Sequence, residues 1–280
     1  MIKSRKKARS AIYYIFMAIV CLIMIYPFIW SFTASFKPVQ QLYTDNPMNL
    51  IPNPLTLDNY RRLFEVLPFG RFLVNSLAIS IFIPIAMIFI ASFTAYALTR
   101  LRFPGRSILF IAFIATMMIP SHVTLIPNYK LIVDLKLYNT YTALLLNNVF
   151  TAANAFNIFF FRQFFLTIPK ELEDAAHIDG SGNMGIYFRI ILPNAKPAIA
   201  TTAILSFRNV WNSFLWPMLV LSDYEKLPLT VGLRYLKEGE PNWAVLLSGA
   251  SLSIIPIVII FLVFQKYFMA ISVTAGFGGK

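Results

Sequence analysis

Residues 167–193 read T-I-P-K-E-L-E-D-A-A-H-I-D-G-S-G-N-M-G-I-Y-F-R-I-I-L-P. Pro169 suits the first turn of a helix, where its missing N–H needs no partner. Glu171, Glu173 and Asp174 follow where carboxylates complement the positive end of the helix dipole, and Gly180 can take the left-handed conformation that ends a helix. The pattern predicts a helix of about 11 residues, about 16 Å long. Leu172, Ala175, Ala176 and Asp179 fall at i, i+3, i+4 and i+7 and so share one face. Two adjacent alanines keep that face shallow enough for another backbone to come close. Residues 184–192 predict a second short helix, ended by Pro193. Interfacial helices usually present Lys and Arg to lipid headgroups; an acidic helix with a small-residue face suits a protein partner instead.

Outward from this loop the chain turns apolar on both sides. Residues 140–161 precede it and 197–221 follow it, each long enough for a hydrocarbon core that takes about 20 residues to cross. Four more segments qualify: 11–35, 72–98, 107–127 and 243–265. The third and fourth in chain order are the least clean, being interrupted by Ser121 and His122 and by Asn147, Asn148, Asn154 and Asn157. Composition agrees. Over 280 residues, 58% are hydrophobic and 13% charged, against about 45–50% and about 25% in a soluble domain, and the mean hydropathy is +0.67. One cysteine, Cys21, excludes a disulfide scaffold. The expected fold is all-α: a polytopic membrane helical bundle of six transmembrane helices, one domain over residues 1–280, with a polar loop at 162–196.

The formal charge is +12. With the N-terminus inside, the inner segments carry fourteen Lys and Arg and the outer ones nine, which places both termini in the cytoplasm. Residues 1–35 read as an uncleaved first span, because the apolar stretch exceeds the roughly 7–15 residues of a signal core and no A-x-A site follows it. No basic stretch is interleaved with aromatics outside the apolar segments, so no nucleic-acid partner is expected.

Polar groups inside a span are costly and tend to face a cavity or another helix. Arg208 is the one clear charge within a predicted span, with Asn209 and Asn212 beside it. These three, with Asn147 and Asn154, are the candidates for a translocation path, although span asparagines also hydrogen-bond helices together. Other chemistries lack their residues. Gly180–Gly185 matches G-x-G-x-x-G, but a charged helix precedes it rather than a strand. The chain holds no G-x-x-x-x-G-K-[ST]. His122 and His177 are too few for a metal site. No acid in a span serves an ion-coupled carrier, and no His, Asp and Glu cluster serves a membrane enzyme.

Asp174-Ala175-Ala176, three residues, Gly180, nine residues and then Ile190-x-Leu192-Pro193 resemble the E-A-A loop of the inner-membrane permeases of ATP-binding-cassette importers. Asp174 stands where the family usually has Glu, with Glu173 beside it. Leu57 to Phe64 (L-D-N-Y-R-R-L-F), Asn75-Ser76 and Trp211 to Pro217 (W-N-S-F-L-W-P) are similar to carbohydrate importers, and six spans without a large external domain resemble the smaller permease subunit of maltose-type systems. The resemblance implies a non-enzymatic subunit of the bacterial plasma (inner) membrane. Its implied partners are a second homologous permease, two ATP-binding subunits, an extracytoplasmic solute-binding protein, a carbohydrate substrate and the lipid bilayer. No cofactor is bound by this chain, since ATP and Mg belong to the partner ATPase. Leu172, Ala175, Ala176 and Gly180 are implied to seat the coupling helix in the ATPase, Glu173 and Asp174 to pair with its basic residues, and Asp179, Ile190, Leu192 and Pro193 to complete the loop.

Overall fold

The computed structural model describes residues 2–43, 48–237 and 242–277, and among these every regular element is helical. The helices are α1 (Ile2–Ala34), α2 (Val39–Leu42), α3 (Asp58–Val66), α4 (Phe69–Arg100), α5 (Arg106–Thr116), α6 (Leu125–Asp134), α7 (Tyr141–Val149), α8 (Ala155–Leu166), α9 (Glu171–Ile178), α10 (Asn183–Ile186), α11 (Leu192–Asn194), α12 (Lys196–Trp211), α13 (Leu215–Val220), α14 (Leu229–Gly232) and α15 (Trp243–Phe277). A π-helical segment, Tyr187–Ile191, joins α10 to α11.

Among the described residues three helical stretches are long and apolar enough to cross a membrane: Ile12–Ala34, Phe69–Arg100 and Trp243–Gln265. Two bent pairs raise the number to as many as five: Tyr141–Val149 with Ala152–Leu166, bent by 58°, and Asn183–Asn194 with Lys196–Trp211, bent by 75°. The third expected span, 107–127, is not one helix. α5 stops at Thr116 and α6 starts at Leu125. A proline ring clashes with the carbonyl four residues before it and lacks the N–H that would bond it. Thr116, four residues before Pro120, is the last residue of α5, and Pro127 lies in the first turn of α6, so that the carbonyl it opposes, that of Val123, falls in the break. The fifth expected span, 197–221, divides likewise: α12 ends at Trp211 and α13 begins at Leu215, with Ser213 four residues before Pro217. In the fourth, 140–161, no proline is present at the bend. There the Thr151 hydroxyl donates to the Asn147 carbonyl and accepts the Ala153 N–H at 3.4 Å, which closes one helix and caps the next turn.

The chain divides into two compact units, residues 1–70 with 233–255 and residues 71–232 with 256–280. In the first, Asn59 is buried and donates to the carbonyls of Ser35 (2.9 Å) and Lys37 (2.7 Å), which follow the end of α1. The Lys37 side chain is fully buried, its Nζ donating to the Asn49 carbonyl and lying 5.8 Å from the Trp30 ring centre. In the second unit, Ala91, Ala95, Tyr96 and Leu98 of α4 pack with Ile158, Phe161 and Phe165 of α8, Ala176 of α9, and Ile186, Tyr187 and Ile191. Small residues at 91 and 95, one turn apart, let the loop helices pack close to α4. Elsewhere in this unit, Asn139 turns the chain with φ of 60° and its side-chain oxygen accepts the N–H groups of Ser222 (3.2 Å) and Asp223 (3.0 Å).

Candidate functional site: the loop from Thr167 to Pro193

α9 is shorter than its sequence suggests. Lys170 is the N-cap, accepting the N–H groups of Glu173 (2.9 Å) and Asp174 (3.0 Å), so Pro169 lies just outside the helix rather than in its first turn. The acids Glu171, Glu173 and Asp174 do occupy the first turn. The helix closes as expected. Gly180 has φ of +82°, its N–H bonds the His177 carbonyl at 3.0 Å, and the Ser181 N–H bonds the Ala176 carbonyl at 2.8 Å. These two bonds form a Schellman motif, which satisfies carbonyls the helix end would leave open. No heavy atom lies within 4 Å of a Cβ placed on Gly180, so its backbone angle is what favours glycine there.

The face with four shared residues is split in the structure. Ala176 is buried, while Leu172, Ala175 and Asp179 are exposed. Asp174 is exposed as well, and Ile178 is 87% exposed. Glu173 corrects the expectation that it reaches a partner: it is buried against its own chain. Its Oε1 lies 2.6 Å from Arg100 Nε at the end of α4. Arg100 Nη2 also donates to the carbonyls of Phe165 and Ile168, each at 2.8 Å, at and just beyond the end of α8. Burial pushes the Glu173 carboxyl above the ordinary glutamate range. The Arg100 guanidinium opposes that shift and Asp174 adds to it.

The second arm runs from Asn183 through the π segment to Asn194, one residue beyond Pro193. Tyr187 is fully buried in it, with its hydroxyl 2.8 Å from Ser92 Oγ. Tyr96 Oη donates to the Asn183 carbonyl at 3.0 Å. Ile190 and Leu192 pack half-buried on the same core, and Pro193 is exposed. Between the arms, Asp179 to Gly182 with Met184, Phe188 and Arg189 line an open cleft of about 580 Å³. The outward surface combines Leu172, Ile178, Met184 and Phe188 with Asp174 and Asp179. That is an apolar patch bearing carboxylates on a firmly seated scaffold.

The polar residues of the apolar segments separate into two kinds. Asn154 is buried and donates to the carbonyls of Met87 and Val149, both at 3.2 Å, and it accepts from Asn157 at 3.0 Å. Asn157 in turn reaches Ser206 Oγ at 3.0 Å, so this pair ties α4, α8 and α12 together. Asn147 instead lines a cavity of about 840 Å³ where three helices break, beside Asn128, His122, Ser213, Phe214 and Trp216. Arg208, Asn209 and Asn212 are exposed near the end of α12. His177 is exposed on α9. Among the described residues no cluster of His, Cys, Asp and Glu could hold a metal, and no strand precedes the glycines at 180–185. Sequence reasoning missed Ser92, Tyr96 and Arg100. Their signal was present: they are polar side chains at i, i+4 and i+8 in the last third of a mainly apolar helix.

Residues 87–270 match the family model of the binding-protein-dependent transport system inner membrane component. The chain belongs to that family. It is thus a multi-pass inner-membrane permease subunit of an importer, and not the ATPase. It is similar to the arabinooligosaccharides transport system permease protein AraQ of Halalkalibacterium halodurans, 39% identical over 266 residues and 94% of each chain. Its identity with AraQ of Bacillus subtilis is 35% over 268 residues, covering 95% of this chain and 94% of the relative. With the sn-glycerol-3-phosphate transport system permease protein UgpE of Yersinia pestis it is 33% identical over 265 residues, covering 91% and 93%. Among solved structures, a bacterial ABC transporter involved in the import of the acidic polysaccharide alginate superposes with a TM-score of 0.81 at 28% identity, covering 94% of this chain and 97% of that one. A chain of the alginate transporter in complex with its pentasaccharide-bound periplasmic protein matches with a TM-score of 0.66 at 13% identity, a likeness of fold alone.

Proposed function

We infer that this permease carries a sugar or oligosaccharide into the cytoplasm, driven by ATP hydrolysed on separate subunits. The observation that carries this reading is the loop 167–193: a short helix with exposed Leu172, Asp174, Ala175 and Ile178, stopped by a fixed turn at Gly180 and backed by a buried core. Such a surface offers a basic, apolar-lined cleft on an ATPase both charge and shape complementarity. Ala176, Ile190 and Leu192 serve from behind as its seat. The names of the AraQ and UgpE relatives favour a carbohydrate or polyol-phosphate solute.

In this reading residues 1–280 work as one permease domain, with both termini in the cytoplasm. The chain crosses the membrane six times, with 106–134, 141–166 and 196–220 crossing as broken helices. Breaks suit a pathway, because unsatisfied backbone is tolerated at membrane depth only where it is buried in protein or lines a watery cavity. The solute passes the cavity at Asn147 and the exposed face of Arg208, Asn209 and Asn212. Asn154 holds helices together. A second homologous permease, two ATP-binding subunits and a solute-binding protein complete the machine. Docking of the loop must be tighter in one state of the ATPase than in the other for hydrolysis to drive the change.

Reconstitution tests this. The chain co-expressed with a second permease, an ATPase and a solute-binding protein of such an importer is expected to take up arabinooligosaccharide into ATP-loaded vesicles and to be blocked by vanadate. Uptake by this chain alone, or by the complex without ATP, would overturn it.

A further inference from the structure

The polar residues of α4 that hold the loop form a single stripe. Ser92, Tyr96 and Arg100 stand at i, i+4 and i+8, about 12 Å from end to end along the axis. Each holds a different part of the loop region. Ser92 meets Tyr187 in the π segment at 2.8 Å, Tyr96 bonds the Asn183 carbonyl at 3.0 Å, and Arg100 contacts Glu173 in the first turn of α9 at 2.6 Å. Arg100 also bonds the carbonyls of Phe165 and Ile168, so α8 is held by the same guanidinium. The π segment serves this arrangement. Tyr187 opens the wide turn, with its hydroxyl on Ser92 and its ring 5.2 Å from that of Tyr96.

The backbone carries a displacement of the loop only into α8 and α12, its neighbours in sequence. α4 lies far away along the chain, and its link to the loop is this stripe with the apolar packing around Ala91 and Ala95. Hydrogen bonds and an ion pair in a buried setting are short-ranged and directional, so they resist sliding where apolar contact alone does not.

We propose that Ser92, Tyr96 and Arg100 are positioning residues that carry movement of the 167–193 loop into the span Phe69–Arg100, so that α4 moves with the loop as one body. The proposal rests on the import reading and adds to it a second, non-covalent route from the loop to the spans.

The test uses the assembled importer in vesicles, with both permeases, the ATPase and the solute-binding protein. Solute imported and ATP hydrolysed are measured in the same preparation for Glu173→Gln, Arg100→Met, Arg100→Lys, and Tyr96→Phe combined with Tyr187→Phe. Solute carried per ATP is expected to fall about tenfold in Arg100→Met, which loses the ion pair and the charge-assisted hydrogen bonds to the Phe165 and Ile168 carbonyls, and in Glu173→Gln, which loses the charge of the ion pair. It should fall less in the double hydroxyl deletion, and Arg100→Lys, which keeps a cation beside Glu173, should stay nearer the wild type than Arg100→Met. An unchanged ratio in every variant would overturn the proposal. So would uptake and hydrolysis falling together in step with the amount of assembled complex, since that marks a purely structural latch. If the charged variants fail to assemble, the double hydroxyl deletion decides by the same ratio. Wild-type uptake is the separate arm that judges the import reading.

Discussion

Arg100 Nε lies 2.6 Å from Glu173 Oε1, and the two side chains are only 5% and 11% exposed. The end of an apolar helix and the first turn of an acidic one are thereby locked together. Removing one partner of a buried pair leaves the other charged without compensation, which costs about 3–5 kcal/mol. Arg100→Met is therefore expected to lower the thermal midpoint of the detergent-solubilised protein markedly. Pairing it with Glu173→Leu should recover the part of the loss that comes from the unpaired carboxylate, while the Phe165 and Ile168 carbonyls still lack their donor. A double variant as unstable as the single one would count against the pair.

Ile178 and Leu172 project from α9 with 87% and 46% of their surfaces exposed. Ile178→Asp and Leu172→Asp should leave folding intact, because neither site is buried. Each should abolish recovery of the ATPase by affinity capture of the permease. Ala176→Trp is a different experiment, since Ala176 is buried in the core, and it should reduce the yield of folded protein instead.

Asn154 and Asn147 are expected to respond in opposite ways. Asn154→Ala strips donors from the buried Met87 and Val149 carbonyls, at a cost of about 1–3 kcal/mol in stability, with little effect on the solute concentration for half-maximal uptake. Asn147→Ala, at the cavity wall, should shift that concentration and leave the melting profile in place. Transport assays beside thermal unfolding separate the two.

Gly232 leaves no room for a side chain. A Cβ there would sit 2.1 Å from the Phe72 ring, which is fully buried. Gly232→Ala should destabilise by about 1–3 kcal/mol through overpacking, and Phe72→Leu in the same chain should relieve part of it. Chemical denaturation of the purified protein reads both.

Asp223 accepts the Glu225 N–H at 3.0 Å and lies 3.3 Å from Lys226 Nζ. These contacts hold its carboxyl below the ordinary aspartate range, the backbone bond contributing most. A group lowered in the folded state adds stability above its unfolded pKa, and that stability fades as pH falls through the folded one. The segment from Ser222 to Leu227 should therefore become more sensitive to an acid-active protease as pH drops below the usual aspartate range. Asp223→Asn should remove most of that pH dependence.

Much of the loop was legible in its residues. The acids at the start of α9, the stop at Gly180 and the two arms all follow from backbone chemistry within a few residues. The three uninterrupted spans follow from apolar length. The breaks after Thr116 and Trp211 were readable in principle, because Pro120, Pro127 and Pro217 each oppose a carbonyl four residues earlier. The bend at Thr151 was not, because it depends on a side chain choosing a local carbonyl over solvent. Glu173 and Asp174 are adjacent carboxylates with the same propensity, and periodicity cannot say which one turns inward. Arg100 makes that choice from a distant part of the chain.

The amino-acid order alone determined that this protein lives in a membrane and carries a short acidic helix between apolar segments, because hydropathy and helix termination act over one or two turns. Only the tertiary structure decided that Glu173 and Ala176 face inward, that Asn154 is a tie while Asn147 meets a cavity, and that one stripe of α4 grips the loop. Those outcomes depend on which groups share a buried volume, and in such a volume each polar atom must find its partner wherever the fold has brought one.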